Sequence, residues 1–191
     1  PIIYIIEDNG VYGLTKGQAG PTLGLGEKPK SLPRPNPQGK VNPLLLAFAS
    51  GYTWIARGYA YDVKGLKELI KEGIAHRGLA FLHVLQPCPT YNDLHTKEWF
   101  APRLYRLEEE GYDPLVPPGL PPEALEARMA RFQQKALEWG ERIPVGVFWK
   151  AELPTFEARL KAYLPRYPEA YPARGPETPL DLEGLLQEFA L

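Results

Sequence analysis

The run Ile2-Ile3-Tyr4-Ile5-Ile6, followed by Glu7 and then by Asp8-Asn9-Gly10, decides the fold class of this chain. An apolar run dominated by isoleucine predicts a β-strand over residues 2–7 that is buried on both faces. Asp8-Asn9-Gly10 predicts a tight turn directly after that strand. A strand of this kind belongs in the middle of a sheet, so we expect a preceding part of the domain to be absent from this chain.

The next elements extend the strand into an α/β pattern. Residues 52–60 have strand-like composition, and Asp62 is a suitable N-cap for the helix that follows. Apolar residues then recur at helical spacing, at Val63, Leu66, Leu69, Ile70 and Ile74. A second strand is predicted over Leu79–Leu85. Strand, helix and strand in this order predict an α/β fold with a mostly parallel sheet and crossover helices.

The remaining elements are predicted from periodicity, caps and breakers. We expect helices over 43–50, 122–139 and 154–163, a strand over 145–149, and an irregular loop over 27–43, which is rich in proline and lysine. Residues 1–150 are expected to form one domain. Residues 151–191 are expected to form a C-terminal helix and a proline-rich tail, with a small helix near 180–189.

Composition excludes several classes of protein. Lys and Arg total 22 against 23 Asp and Glu, which gives no electrostatic reason to expect nucleic acid or an anionic membrane as a partner. No apolar run approaches the roughly 20 residues that cross a bilayer, so a cytoplasmic protein is expected. The single cysteine, Cys88, excludes an internal disulfide. The 22 prolines and the single methionine favour a thermophilic source.

The segment after the first strand carries the most chemical information. Open α/β sheets bind ligands at the carboxyl ends of their strands, where Asp8-Asn9-Gly10 lies. An asparagine side-chain oxygen and a main-chain carbonyl are suitable ligands for Mg²⁺, and glycines let main-chain N–H groups approach a phosphate. A turn that uses glycine only for its geometry accounts for the same residues equally well.

Cys88 follows the predicted strand 79–85 in Gln86-Pro87-Cys88-Pro89-Thr90. A lone cysteine is more often a small buried apolar residue. A Cys-Pro pair also occurs at the last ligand of some iron–sulfur sites. The residues alone leave both roles open.

The residues from Asp8 to Gln18, continuing to Pro21-Thr22, resemble the magnesium–thiamine-diphosphate motif of the β subunits of 2-oxoacid:ferredoxin oxidoreductases. The resemblance covers about residues 1–160 and implies a thiamine-diphosphate-binding fold that is incomplete at its N-terminus. It implies that the Asn9 side chain and the Val11 carbonyl bind Mg²⁺. It also implies that Gly13, Leu14 and Thr15 lie against the diphosphate.

Two departures accompany the resemblance. Gly20 stands where the family usually has serine, which affects one local hydrogen bond. The family's glycine-aspartate motif, which supplies a magnesium carboxylate, is not in this chain. A protein that holds no cofactor and only binds a partner therefore remains an alternative, as does another thiamine-diphosphate-dependent decarboxylase or dehydrogenase.

Residues 78–92 resemble the family segment in which a strand ends in a turn containing Pro-Cys. The resemblance implies that Cys88 is the fourth thiolate of a [4Fe–4S] cluster, whose other ligands lie in the missing N-terminal segment. The intact enzyme would convert a 2-oxoacid, 2-oxoglutarate or pyruvate, into acyl-coenzyme A and CO₂ and pass electrons to ferredoxin. An α subunit would supply the acid that activates the cofactor, so no catalytic residue is assigned here, and the isolated chain is expected to be inactive.

Two further polar residues lie in the predicted strands. His83 is inside the strand 79–85 and is expected to be a half-buried histidine with satisfied hydrogen bonds. Arg57, towards the end of the strand 52–60, is a candidate for packing against another subunit.

Overall fold

The computed structural model describes residues 2–167 and Gln187. The chain divides into two compact units, Pro1–Leu153 and Pro154–Leu191. The strands are β1 (Ile2–Asp8), β2 (Val11–Tyr12), β3 (Gln18–Ala19), β4 (Trp54–Tyr59), β5 (Leu79–Leu85), β6 (Leu104–Arg106), β7 (Leu115–Val116) and β8 (Ile143–Ala151). The helices are α1 (Pro43–Ala49), α2 (Val63–Ala75), α3 (Lys97–Phe100), α4 (Pro122–Leu137) and α5 (Phe156–Tyr163), with a 3₁₀ turn at Glu108–Glu110.

The main sheet confirms the predicted α/β class. Its strand order is β1-β5-β4-β8-β6, and β7 also pairs with β8. The pairs β1–β5, β4–β5, β6–β8 and β7–β8 are parallel, whereas β4 and β8 are antiparallel. The helix α2 connects the parallel strands β4 and β5, as the strand–helix–strand pattern predicts.

Helices cover both faces of this sheet. Trp54, Ala56 and Leu82 belong to the core cluster under α2, whereas Ile55 and Phe81 belong to a second cluster under α1 and α4. Successive residues of a strand point to opposite faces, so the two clusters lie on opposite sides of the sheet.

The strand β1 exists as predicted, but its predicted burial on both faces is wrong. Within residues 2–167 it pairs with β5 alone and forms the edge of the sheet. Ile2 is 64% exposed and Tyr4 is 54% exposed. Apolar, β-branched composition is sufficient to favour a strand. Burial depends on neighbouring elements, which the local sequence does not specify.

The two long helices lie close to their predicted positions. The Asp62 side chain caps α2 by accepting a hydrogen bond from the Gly65 N–H at 3.0 Å. The helix α4 begins with Pro122 and buries Phe132 and Ala136. It ends at Leu137, two residues before the predicted boundary, because Glu138 has an extended backbone.

The shortest helices and strands of the structure were not predicted from the sequence. The hairpin β2–β3, the one-turn helix α3 and the strands β6 and β7 each have two to four residues, too few to show a periodic pattern. The strand predicted over 145–149 is longer, Ile143–Ala151.

In the second unit, the Thr155 hydroxyl caps α5 by accepting from the Ala158 N–H at 3.2 Å. Except for Gln187, the small helix predicted near 180–189 lies outside the described residues. No helix among the described residues has the length and apolar character needed to cross a membrane.

Candidate functional site

The turn after β1 is built by its own side chains. The Asp8 Oδ1 atom accepts a hydrogen bond from the Gly10 N–H at 2.9 Å, and the Asn9 Oδ1 atom accepts from the Val11 N–H at 3.0 Å. Gly10 has a φ of 74°, a left-handed conformation that glycine adopts without steric cost. These hydrogen bonds fix the backbone of the turn that connects β1 to the hairpin β2–β3.

The hairpin presents two oxygens on one side. The Gly20 N–H donates to the Gly10 carbonyl at 2.8 Å, and the next opposed pair is Val11 and Ala19. Hydrogen-bonded and non-hydrogen-bonded pairs alternate in an antiparallel ladder, so the N–H and carbonyl of Val11 point away from Ala19. The Asn9 Oδ1 atom already lies on that side, since it accepts from the Val11 N–H. The Asn9 Oδ1 atom and the Val11 carbonyl therefore lie on the side of β2 that faces away from Ala19.

The tip of the hairpin stands out from the protein. Gly13, Leu14 and Thr15 are exposed, and the Leu14 side chain is 98% exposed. The base of the tip is anchored, because the Ser31 hydroxyl donates to the Gly17 carbonyl at 2.7 Å. A Cβ atom on Gly17 would lie 2.5 Å from the Cβ atom of Ser31, so only glycine fits there.

The segment containing Cys88 meets this turn at the carboxyl edge of the sheet. The Asn92 N–H donates to the Cys88 carbonyl at 3.0 Å, and the Asn92 side-chain amide donates to the Asn9 carbonyl at 3.0 Å. Asn92 is 1% exposed, and its Oδ1 atom accepts from the Leu94 N–H at 3.1 Å. This buried asparagine joins the two segments that the sequence motifs indicate separately.

A buried polar chain lies beneath the turn and was not predicted. The Asp8 Oδ2 atom is 2.9 Å from the Nε2 atom of His83, and the His83 Nδ1 atom is 3.2 Å from the Nε atom of Arg57. The expected hydrogen bonding of His83 is present, but the residue is fully rather than half buried. The expected packing of Arg57 against another subunit is wrong, because Arg57 is 2% exposed within its own chain.

Burial and hydrogen bonding set the protonation of this chain of residues. Burial lowers the pKa of His83, which favours the neutral imidazole at pH 7. Burial also lowers the pKa of Arg57, to about 10, so its guanidinium remains charged. Burial alone would raise the pKa of Asp8, but hydrogen bonds from His83, Thr22 and Gly10 outweigh it and lower that pKa. A partly exposed carboxylate and a buried guanidinium therefore lie at opposite ends of a neutral histidine.

An aromatic group flanks the same region. His95 lies 3.2 Å from a Glu27 carboxylate oxygen, and its ring contacts Trp99 and Trp139. The Lys40 Nζ atom lies 3.9 Å above the centre of the Trp139 ring. Loss of hydration, followed by the charge of Arg57, lowers the pKa of Lys40 to about 8. A groove of about 640 Å³ lies away from this aromatic group, between α2 and β8.

The donor set fits the predicted ions only in part. Within residues 2–167 and Gln187, no three His, Cys, Asp or Glu side chains are grouped closely enough to hold a metal ion. Asn9 and Val11 offer two of the oxygens that an octahedral Mg²⁺ needs. Cys88, which is free and partly buried, offers one of the four thiolates of a [4Fe–4S] cluster. The two sites are compatible with these groups, provided that other residues complete them.

Comparison with known families first defines the class. Residues 1–84 match the family described as "Thiamine pyrophosphate enzyme, C-terminal TPP binding domain". Residues 88–164 match the family described as the C-terminal part of the pyruvate ferredoxin oxidoreductase β chain. The turn after β1 thus lies in a segment typical of thiamine-diphosphate enzymes, and Cys88 opens a segment typical of ferredoxin-linked ones.

Individual relatives define the family. The chain is 57% identical over 175 residues to the 2-oxoacid:ferredoxin oxidoreductase subunit beta of Sulfolobus sp, covering 91% of this chain and 56% of that protein. It is 51% identical over 193 residues to the Saccharolobus solfataricus protein of the same name, covering 96% and 62%. The chain belongs to the 2-oxoacid:ferredoxin oxidoreductase β subunits, as its motifs suggested. It spans about three-fifths of the length of these relatives.

A solved structure agrees with this assignment. The similar chain comes from the 2-oxoglutarate:ferredoxin oxidoreductase of Magnetococcus marinus, with 2-oxoglutarate, coenzyme A and succinyl-CoA bound. It is 27% identical with a TM-score of 0.71, and the match covers 99% of this chain and 58% of that one. The resemblance therefore extends from the motifs to the fold.

Proposed function

We propose that this chain is part of an enzyme that oxidatively decarboxylates a 2-oxoacid to acyl-coenzyme A and CO₂ and passes the electrons to ferredoxin. The supporting observation is the hydrogen bond from the Asn92 side chain to the Asn9 carbonyl at 3.0 Å. It brings the proposed cofactor turn and the segment of Cys88 to one edge of the sheet. An enzyme that couples decarboxylation to electron transfer needs these two functions close together.

In this proposal the turn holds Mg²⁺ and the diphosphate of thiamine diphosphate. The Asn9 side chain and the Val11 carbonyl bind the metal from the outer side of the hairpin. Gly13, Leu14 and Thr15 place their main chain against the diphosphate, and their exposure leaves it accessible. The Gly10 conformation and the Ser31–Gly17 hydrogen bond keep this hairpin in position.

The bound cofactor would supply the carbanion chemistry of decarboxylation and store the released electrons. The residues of this chain bind and orient it, and we assign none of them a role as general acid or base. Cys88 contributes one thiolate to a [4Fe–4S] cluster. The remaining ligands of the cluster and of Mg²⁺ come from residues beyond those that the structure describes.

The proposed partners are an α subunit, ferredoxin, coenzyme A and the 2-oxoacid. The solved relative with 2-oxoglutarate, coenzyme A and succinyl-CoA bound favours 2-oxoglutarate over pyruvate as a substrate to test first. A cytoplasmic enzyme from a thermophile is consistent with the balanced charge and the 22 prolines of the sequence.

Replacing Asn9 tests the proposed metal site. Asn9→Ala removes a ligand oxygen, and we expect it to weaken magnesium-dependent binding of thiamine diphosphate to the assembled enzyme by more than about tenfold, or about 1.4 kcal/mol. Asn9→Asp is the matched control, since it keeps an oxygen for the metal and an acceptor for the Val11 N–H. Binding is measured anaerobically by calorimetry. Equal affinity of Asn9→Ala and the unchanged enzyme would refute the assignment.

A further inference from the structure

The conformation of the proposed metal-binding turn depends on the carboxylate that precedes it. Asp8 is adjacent to Asn9, and both of its oxygens accept hydrogen bonds. Oδ1 accepts from the Gly10 N–H at 2.9 Å and from the Thr22 hydroxyl at 2.5 Å, and Oδ2 lies 2.9 Å from the Nε2 atom of His83. The Asp8 carboxylate, at the end of β1, is thus hydrogen-bonded both to the turn, at Gly10, and to the segment after the hairpin, at Thr22.

Arg57 determines which nitrogen of His83 carries the proton. The Nε atom of Arg57 lies 3.2 Å from the Nδ1 atom of His83, and a guanidinium group can only donate hydrogen bonds. Nδ1 must therefore accept, so the proton of the neutral ring lies on Nε2 and is donated to Asp8. The Arg57–His83 contact selects the one neutral form of the ring that can hold the carboxylate.

The register of the sheet brings these residues together. His83 on β5 lies opposite Arg57 on β4 and opposite Ile6 on β1, and Asp8 follows Ile6 by two residues on the same strand. His83 and Arg57 are each 2% exposed, whereas the Asp8 side chain is 15% exposed and borders the turn. Buried charged groups are by themselves weak evidence of a stabilising role, since apolar residues can often replace them without loss. This chain of contacts runs instead from the core to the residue next to Asn9.

We propose that Arg57, His83 and Thr22 are positioning residues, which hold Asp8 and through it keep the Asn9 and Val11 oxygens in place for Mg²⁺. This inference rests on the proposed function. Hydrogen-bonding partners behind metal ligands commonly orient them, and their loss typically costs about 10- to 100-fold in metal affinity. The role assigned to His83 concerns orientation rather than proton transfer.

His83→Leu and His83→Gln form the first test. Leucine fills a similar volume without a donor, whereas the glutamine amide can donate to Asp8 from a position near that of Nε2. We expect His83→Leu to raise by about tenfold or more the Mg²⁺ concentration that half-saturates the assembled enzyme at fixed thiamine diphosphate. His83→Gln should restore most of that loss.

Thr22→Val and Thr22→Ser form a second test, because His83→Leu leaves two charged side chains without a buried partner and can prevent folding. Valine matches threonine in shape but lacks the hydroxyl that donates to Asp8, and serine keeps it. We expect Thr22→Val to raise the Mg²⁺ requirement severalfold with little change in unfolding temperature. Thr22→Ser should bind Mg²⁺ like the unchanged enzyme.

The outcomes separate the two proposals. If Asn9→Ala weakens binding but the folded His83→Leu and Thr22→Val enzymes keep the original Mg²⁺ requirement, the positioning role is refuted and the proposed function stands. A lower unfolding temperature with an unchanged Mg²⁺ requirement likewise assigns these residues to stability alone and refutes the inference. If Asn9→Ala has no effect, the proposed function fails and the inference fails with it.

Discussion

Gly10 combines two constraints at a single residue of the turn after β1. Its φ of 74° lies in the left-handed region, where a side chain brings a steric cost of about 1–2 kcal/mol. A Cβ atom at this position would also lie 3.2 Å from the Nδ2 atom of Asn92. That nitrogen donates to the Asn9 carbonyl, so the added atom would press on the contact between the two segments.

Gly10→Ala is therefore expected to lower the free energy of unfolding by about 1–2 kcal/mol. Gly13→Ala is the control for stability, because a Cβ atom on Gly13 meets nothing within 4 Å. Urea denaturation followed by circular dichroism measures both variants. Similar denaturation midpoints for Gly10→Ala and Gly13→Ala would contradict this account of the turn.

At the scale of elements, the helix α2 depends on the residue that caps it. The Asp62 carboxylate accepts from the Gly65 N–H at 3.0 Å and also forms an ion pair with Arg106. Asp62→Ala is expected to lower the free energy of unfolding by about 1 kcal/mol, because it removes the cap. Asp62→Asn keeps the cap but removes the charge, and it should cost less, since partly exposed ion pairs contribute little. Equal losses in thermal denaturation would place the effect in the ion pair instead.

Elements with a strong local signal were predictable from sequence. The helix α2 has a capping Asp62 and an apolar stripe that includes Leu66 and Leu69, and the structure has it where the cap indicates. For β1, the sequence predicts the strand but not its place at the edge of the sheet. Strand propensity is a local property, whereas the position of a strand in a sheet depends on residues far away along the chain.

The part of the candidate site that the sequence could indicate is the part formed by residues close together along the chain. Asn9 and Val11 lie in one recognisable turn, and their shared orientation follows from local hydrogen bonds. The chain of contacts from Asp8 through His83 to Arg57 joins three strands, so no short motif contains it. Its visible signs in the sequence were His83 and Arg57, polar residues inside apolar strands, because a buried polar side chain requires a partner.

At the scale of the whole molecule, the ionisation of Tyr112 makes the free energy of unfolding depend on pH in the alkaline range. It is 7% exposed, its hydroxyl donates to the Phe148 carbonyl at 2.7 Å, and burial raises its pKa to about 12. The unfolded tyrosine, with a pKa near 10, loses its proton first. The contribution of Tyr112 to stability is therefore complete below about pH 10 and is lost as the pH rises towards 12.

Tyr112→Phe should lower the free energy of unfolding by about 1 kcal/mol at about pH 8, because it leaves the buried carbonyl of Phe148 without its donor. The difference between the two proteins should shrink between about pH 10 and 12, since the variant lacks the group that titrates there. Denaturation curves over this pH range measure the effect. A difference that stays constant would show that Tyr112 is not protected from titration.

The contact between Asn92 and Asn9 crosses from one matched family segment, residues 1–84, to the other, residues 88–164. It thereby limits how the two segments can be recombined. In a chimera, residues 1–84 of this chain would be joined to the second segment of another protein. The contact is kept only if that second segment carries an amide side chain at the position of Asn92. One buried side chain thus constrains which gene fusions retain an intact junction between the two modules.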